Sequence, residues 1–363
     1  MDVRARRLLF GLGFVATCAA GGKKRPEPEV PPPVIVEAPP PPAPDPPRGP
    51  MWPTRPTDAG PLPAGLGNPT SSGCAGCHAV QTARWRASGH AHSAARADAL
   101  AAADPGCPVC HLPLIAQQER HGDQPNLGFD LALWADGVGC AACHLRDGAV
   151  VATAPGTAPH ALAWSPELDD PAACATCHQL AWPGADVPLY DTVGEWSRSG
   201  WSGAGVGCID CHGAHAVTLP FDRAVSVLVE APGRRLRRGG PPLAFAVALQ
   251  NTGAGHAVPT GSPYAGLRLE IALEGPVGKR GEIGVRGTPV TADFGRTVSD
   301  APPWRVLADT RLAPGATRRV EAPLSLPADA AVGPWNVRVR VLRTTRGAVG
   351  DLASEQRIPM QIE

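Results

Sequence analysis

The sequence is poor in the residues that usually fill a protein interior, because Phe, Trp and Tyr together make up only 5% of its 363 positions. It also lacks an excess of either charge, with 33 Lys and Arg against 33 Asp and Glu, so its composition does not favour nucleic acid as a partner. No apolar run after the N-terminal residues is long enough to cross a bilayer. Proline and glycine are abundant instead, with 43 and 42 residues. We therefore expect something other than aromatic side chains to fill much of the core.

The N-terminus has the pattern of an export signal, with three arginines before a short apolar stretch at residues 8–17. Residues 15–18 resemble a bacterial lipobox, in which the cysteine is acylated and becomes the mature N-terminus. We therefore predict that Cys18 is a lipid anchor rather than part of a spanning helix. The alternative is ordinary signal cleavage near Ala20, which would discard Cys18.

Composition divides the chain into four parts. Residues 1–18 are the signal peptide, and residues 19–70 are a proline-rich linker, expected to be an extended polyproline II stalk or spacer. Residues 71–218, here called the Cys/His region, contain ten cysteines. Residues 219–363, here called the β region, contain none.

The sequence patterns of the Cys/His region and the β region predict different folds. The Cys/His region is expected to be irregular, with short helices such as 81–88 and 114–120. The β region has short Val- and Leu-rich segments at 224–229, 243–250, 267–273, 319–326 and 337–342, separated by Gly/Pro turns. This pattern predicts an antiparallel, immunoglobulin-like β-sandwich. The fold class is therefore multidomain, a mainly short-helix and coil region followed by an all-β domain.

Ten of the 11 cysteines form five copies of the motif Cys-x-x-Cys-His. Residues three apart lie on one face of a helical turn, so both thiols can form thioethers with one porphyrin edge. The next residue, His, is then placed to ligate the iron. The sequence therefore predicts five covalently attached haem c groups. From the first motif to the fifth, the residues are Cys74, Cys77 and His78; Cys107, Cys110 and His111; Cys140, Cys143 and His144; Cys174, Cys177 and His178; and Cys208, Cys211 and His212.

Two other uses of paired cysteines compete with haem. Zinc binds Cys-x-x-Cys pairs but does not require His after every second Cys. Disulfides are allowed in an exported chain, but five bridges each followed by His are not expected. Chance produces the motif only about 0.01 times in a chain of this composition. Because haem is attached after translocation, we expect export of the unfolded chain by the Sec route.

The lack of Met and Lys in the Cys/His region limits which residues can be the second axial ligands of the irons. The sequence of this region contains no Met, which argues against His/Met ligation, and no Lys lies between Lys24 and Lys279. The irons are therefore bis-His or five-coordinate. Six histidines remain for the five distal positions, which favours mostly bis-His haems. The candidate distal ligands are His90, His160, His215, His256 and His121, and His92 is expected to be a bystander because it follows His90 by two residues.

His256 is ambiguous because it lies in the β region, in a glycine-rich segment at residues 253–261. It is either an exposed turn residue or a ligand that reaches across the boundary between the two regions.

At these residues the chain resembles a family of multihaem cytochromes related to cytochrome c-554. The likeness lies in Trp85, Ser88 and His90 after the first motif, and in Gly-Val-x-Cys-x-x-Cys-His with Arg-Asp-Gly at residues 137–148. It continues in Ala-Pro-His at His160, in Glu195, Trp196 and Ser199, and in His256, Pro259 and Gly261, and it covers about residues 71 to 345. The chain departs from the family at residues 213–215, Gly-Ala-His, where relatives often have Met-Pro.

The resemblance implies periplasmic or cell-surface electron transfer, with other redox proteins or cytochromes as donor and acceptor. Some members of the family have one five-coordinate haem, and the haem of His111 is the candidate for it here. The alternative function is therefore a multihaem oxidoreductase that reduces a small nitrogen or sulfur oxyanion. The sequence offers no obvious acid–base set for such chemistry, so an electron carrier is the preferred reading. A docking role for the β region is a third alternative.

Overall fold

The computed structural model describes residues 56–95, 107–182, 185, 187–213, 215, 218–277 and 282–363. The predicted export signal, Cys18 and most of the linker lie outside these residues. Within the described ranges, no helix is both long enough and apolar enough to span a membrane.

The helices of the Cys/His region whose whole length the structure describes are short, each having at most eight residues. In chain order they are α1 (Ser71–Cys74), α2 (Ala79–Arg86), α3 (Cys107–His111), α4 (Leu131–Asp136), α5 (Cys140–His144), α6 (Pro171–His178), α7 (Thr192–Ser197), α8 (Gly200–Gly203) and α9 (Cys208–His212). Local sequence explains their starts. Asp170, for example, caps α6 by accepting the Ala172 N–H at 2.7 Å, and Pro171 occupies the first helical position.

Small sheets connect these helices. Strands β1 (Arg120–His121) and β2 (Gln124–Pro125) pair, as do β6 (Gln179–Ala181) and β7 (Pro188–Asp191). Strands β3 (Leu145–Arg146), β4 (Ala149–Ala152) and β5 (Leu162–Trp164) form a third sheet. The helix predicted at 81–88 is confirmed, because α2 covers most of these residues. The helix predicted at 114–120 is wrong, because a 3-10 turn at Ile115–Gln117 is followed by β1.

Residues at the end of the proline-rich linker hydrogen-bond to the Cys/His region. The Thr57 N–H donates to the Pro113 carbonyl at 2.6 Å, and the Thr57 carbonyl accepts from Ile115 at 2.9 Å. The Ala64 carbonyl accepts from the Ala161 N–H at 2.9 Å. The last part of the linker is thus held against the folded chain.

The β region is built from two sheets, which confirms the prediction of a largely β-strand domain. Helix α10 (Phe221–Ala224) precedes β8 (Val225–Glu230), and the other strands are β9 (Arg235–Leu236), β10 (Leu243–Asn251), β11 (Ala265–Val277), β12 (Glu282–Val298), β13 (Val306–Asp309), β14 (Thr317–Leu324), β15 (Gly333–Thr345) and β16 (Ala348–Ile362). One sheet has the order β14-β10-β8, and the other has the order β13-β12-β11-β15-β16-β9. Every pairing is antiparallel except the short one between β9 and β16.

The core of the β region follows the period of two that a half-buried strand requires. Alternate residues of β10, β11 and β15 are fully or nearly fully buried in one apolar cluster, in which Leu269 has no exposed surface. Gly275 of β11 lies under the indole of Trp335, and a Cβ there would come within 2.3 Å of that ring. The buried members contributed by the three strands include Phe245, Val247, Leu249, Leu267, Leu269, Ile271, Leu273, Val337, Val339 and Val341.

Charged residues pair across the same strands. Arg338 of β15 donates to Glu270 at 2.9 Å and to Glu274 at 2.8 Å, and Arg357 of β16 donates to Glu274 at 2.9 Å. Glu274 is buried within this network. The two sets of residues, apolar and charged, alternate along β11 and β15, which fixes the register of these strands.

Candidate functional site

The five Cys-x-x-Cys-His motifs adopt helical turns, as their spacing predicts. Four motifs lie within α3, α5, α6 and α9. The first motif starts at the last residue of α1, and its His78 N–H donates to the Cys74 carbonyl at 2.9 Å, which is a helical bond. The two cysteines of each motif, three residues apart, therefore lie on one face of a single helical turn.

Cysteines from different motifs come into direct contact. The Cys74 thiol is hydrogen-bonded to the Cys140 thiol, which lowers the pKa of Cys140 to about 6 and raises that of Cys74. The same kind of contact joins Cys174 to Cys208, and Cys110 to Cys177. The first motif is thus a neighbour of the third, the fourth of the fifth, and the second of the fourth. None of the nine described cysteine side chains is in a disulfide.

The third and fourth motifs are also close. The charge of Cys143 raises the pKa of both Cys174 and Cys177, after the larger effects of their thiol hydrogen bonds and of burial. These hydrogen-bonding and charge interactions link all five motifs, and the links do not follow the order of the motifs in the chain.

Two pairs of imidazole rings lie opposite each other. The ring centroids of His90 and His178 are 6.2 Å apart, with the ring planes inclined by 46°. The centroids of His212 and His256 are also 6.2 Å apart, with planes inclined by only 15°. The residues of each pair are far apart in the sequence, so tertiary structure brings them together. His256 is therefore not an exposed turn residue, because it faces a motif histidine of the Cys/His region.

Backbone carbonyls accept from one ring nitrogen of several histidines. The distance from His144 Nδ1 to the Val151 carbonyl is 2.8 Å, and that from His256 Nδ1 to the Ala257 carbonyl is 3.0 Å. His111 Nδ1 lies 3.2 Å from the Ser93 carbonyl. Such a bond fixes the ring orientation and leaves Nε2 as the nitrogen that can bind a metal.

Burial and neighbouring charges lower the pKa of two histidines, His178 and His215, which have different neighbours. Burial, followed by neighbouring charges, lowers the pKa of His178 to about 4, and those neighbours are His90, His212, His256 and His111. Burial and then the charges of His144, Arg84 and His78 lower the pKa of His215. His178 and His215 therefore favour neutral imidazole, which is the metal-binding form.

The remaining predicted ligands have less defined surroundings. The His160 Nδ1 atom is 3.4 Å from the Ala161 carbonyl, and neither His160 nor His215 belongs to an imidazole pair among the described ring contacts. The side chain of His121 and that of Cys107 lie outside the described part of the structure. His92 shares a 3-10 turn with His90. Where the structure is described, three or more His, Cys, Asp or Glu side chains do not gather to hold one metal ion.

One contact of the site was not assigned from the residues alone. Glu195 of α7 is buried, and its Oε2 atom accepts the Ala257 N–H and the Thr260 hydroxyl, each at 3.0 Å. Arg311 is buried beside it, with its Nη2 atom 2.7 Å from Glu195 Oε1. The Glu-Trp sequence at Glu195 was visible in the family resemblance, but no sequence signal identifies Arg311.

No family model matches the chain, and no curated protein matches it either. Three solved structures give weak likenesses. The sporulation control protein Spo0M of Bacillus subtilis is 14% identical over 39% of this chain, with a TM-score of 0.21. A CARDB domain of Pyrococcus furiosus is 11% identical over 40% of this chain, with a TM-score of 0.20. A chaperone–tip adhesion complex of the Csu pili of Acinetobacter baumannii is 16% identical over 38% of this chain, with a TM-score of 0.19. The matched parts cover 49%, 94% and 51% of those chains. TM-scores of this size establish neither a common fold nor a common function.

Proposed function

We propose that this chain is an exported, lipid-anchored c-type cytochrome that transfers electrons in the periplasm or at the cell surface through five covalently bound haems. Other redox proteins serve as its electron donor and acceptor. The ten motif cysteines hold the haems, and the motif histidines bind the irons from one side. The observation that carries the proposal is the opposition of motif histidines by distant histidines, as in the pair of His212 and His256.

The spacing of the imidazole pairs fits a haem iron. A metal–nitrogen bond is about 2 Å long, and the ring nitrogen lies about 1 Å from the ring centroid, so two imidazoles on one metal have centroids about 6 Å apart. Both observed separations are 6.2 Å. His90 is therefore proposed as the distal ligand of the fourth haem, and His256 as that of the fifth.

The packing of the Cys/His region also fits a large apolar cofactor. Among its described residues, the buried apolar clusters are small, one of five residues and one of two. Large apolar side chains remain exposed, including Leu127 at 100% and Leu131 at 66%. A region of this size needs a larger apolar core than its own side chains supply, and five porphyrins would provide it.

The contacts between motifs support transfer rather than isolated sites. Bound haem supplies one-electron redox chemistry, and two imidazole ligands favour a low potential. The chain's part is to hold the attachment sites side by side, which the thiol contacts do for the first and third, second and fourth, and fourth and fifth motifs. The third and fourth motifs are joined through Cys143 and Cys174.

Electron paramagnetic resonance of the purified, oxidised protein tests this function. We expect low-spin signals for most haems, and a potentiometric titration in which all five are reduced and reoxidised without substrate. Strong high-spin signals that change when nitrite or hydroxylamine is added would instead favour the oxidoreductase alternative. The matched comparison is the same sample with chloride added at equal ionic strength.

The lipid anchor is tested separately. Replacing the predicted acylated residue, Cys18→Ser, should move the mature protein from the membrane fraction to the soluble fraction while its haem spectrum stays unchanged. A Cys18→Ser protein that remains membrane-bound would contradict the anchor but not the haem assignment.

A further inference from the structure

The loop between β10 and β11 presents His256 to the Cys/His region, and its backbone is tied down on both sides of the imidazole. The Asn251 side-chain amide donates to the His256 carbonyl at 2.9 Å. The His256 ring is in turn held by the Ala257 carbonyl. The orientation of the imidazole therefore depends on where the backbone of Ala257 is fixed.

Glu195 fixes that backbone from the other region of the protein. Its Oε2 atom accepts the Ala257 N–H, and it also accepts the Thr260 hydroxyl. Ala257 is thus bound through its N–H to Glu195 and through its carbonyl to the His256 ring. This forms a continuous hydrogen-bonded path from a carboxylate on α7 to the imidazole.

The carboxylate itself is held rigidly. Glu195 and Arg311 are both buried, with side chains only 8% exposed, and they form an ion pair at 2.7 Å. Arg311 also pairs with Asp309 at 2.6 Å. In a buried pair, loss of one partner leaves an uncompensated charge, so these groups stay together in the folded protein.

The loop also approaches α7 closely through a glycine. A Cβ atom on Gly255 would lie 3.1 Å from Cδ1 of Trp196 and 3.3 Å from the Trp201 side chain. Trp196 follows Glu195 directly in α7. The same helix therefore contacts the loop on both sides of His256.

We infer that Glu195 is a positioning residue, which holds the loop so that the His256 imidazole faces His212 across the metal position. The inference rests on the proposed function, because it assumes that these two histidines bind one iron. A purely structural ion pair would stabilise the protein without altering the ligation of any single haem, and this difference makes the inference testable.

The experiment compares four variants of the full-length holoprotein by electron paramagnetic resonance, after mass spectrometry has shown that each retains five haems. They are Glu195→Ala, Glu195→Gln, His256→Ala and Glu230→Gln. Glu230 is the matched control, because it also pairs with an arginine of the β region, at 2.8 Å, but is exposed. The g-values of a bis-imidazole haem report the angle between its two ring planes, so they respond to the orientation of the ligand.

We expect His256→Ala to convert one low-spin haem of the five to high-spin, and Glu195→Ala to affect the same haem. Glu195→Gln keeps an oxygen acceptor but loses the charge, so it should shift the g-values of one haem without removing it. Glu230→Gln should match the unchanged protein. If Glu195→Ala does not accumulate, Glu195→Gln and Thr260→Val replace it. Thr260→Val removes one hydrogen bond to Glu195, and each of these variants should shift the g-values of the same haem.

Two results overturn the inference in distinguishable ways. If His256→Ala removes a low-spin haem while the Glu195 and Thr260 variants leave every g-value unchanged, Glu195 does not position the ligand, and the proposed ligation stands. If His256→Ala itself leaves all low-spin signals intact, the ligation by His256 is wrong and the role of Glu195 falls with it.

Discussion

Trp182 of the Cys/His region stacks on Trp304 of the β region, with ring centroids 4.1 Å apart and planes inclined by 16°. Trp182 follows β6, and Trp304 lies between β12 and β13. Together with the contacts of Glu195 to the loop of His256, this stack joins the two regions at a second place. The β region therefore packs directly on the region that contains the motifs.

Replacing one member of the stack should weaken that packing. We expect Trp304→Ala to lower the free energy of unfolding by about 1–2 kcal/mol, because an aromatic pair contributes about 0.5–1.5 kcal/mol beyond its buried area. Urea unfolding followed by circular dichroism measures the effect. Trp164→Ala is the control, since Trp164 is 60% exposed, and an equal loss in both variants would show that the stack adds nothing.

The pairing of His90 with His178 predicts a specific spectral change. We expect His90→Ala to convert one low-spin haem of the five to high-spin, because the fourth haem loses its distal imidazole. His92→Ala, two residues away on the same turn, should leave all signals unchanged. Electron paramagnetic resonance of the two purified variants checks this, and identical spectra would show that His90 is not a ligand.

The contact of Gly275 with Trp335 predicts a change in stability alone. We expect Gly275→Ala to destabilise the protein by about 1–3 kcal/mol, since the new Cβ has to displace a buried indole. The haem spectrum should stay unchanged, because both residues lie in the core of the β region. Gly287→Ala, where a Cβ would meet no atom within 4 Å but φ is +75°, separates overpacking from backbone strain. A loss no larger than that of Gly287→Ala would contradict the steric explanation.

The β strands predicted from sequence were those with buried apolar residues. All five predicted segments fall in or overlap β8, β10, β11, β14 and β15. Strand β12, with 17 residues, was missed although Val290, Ala292 and Phe294 alternate within it, because glycines interrupt the pattern and most of its side chains are only partly buried or exposed. Strand β16 was missed for a similar reason. Hydrophobic periodicity finds strands only where one face is buried.

The wrong helix at 114–120 has a local cause that composition does not show. The Gln117 side chain accepts the Leu114 N–H at 3.0 Å and donates to the Leu133 carbonyl at 2.7 Å. These bonds hold a single 3-10 turn and connect it to α4, so the helix does not continue. Gln117 is buried, and its partner Leu133, 16 residues away, is one that no sequence pattern indicated.

The motif turns were predictable because each is a local arrangement of five residues. The partners of the motif histidines were not predictable in the same way, since a pair such as His90 and His178 depends on how the whole chain folds. The sequence named His90 and His256 as candidate ligands but did not assign either to a motif. The proposed assignment rests on the distances between the ring centroids.

The most direct measurement is the intact mass of the mature protein, produced in a host that attaches haem c. We expect a mass equal to that of the processed polypeptide plus five haems, with further mass for the lipid on Cys18. A Cys174→Ala, Cys177→Ala variant should weigh one haem less, since the fourth attachment site is lost. A colourless protein whose mass equals that of the bare polypeptide would contradict the account.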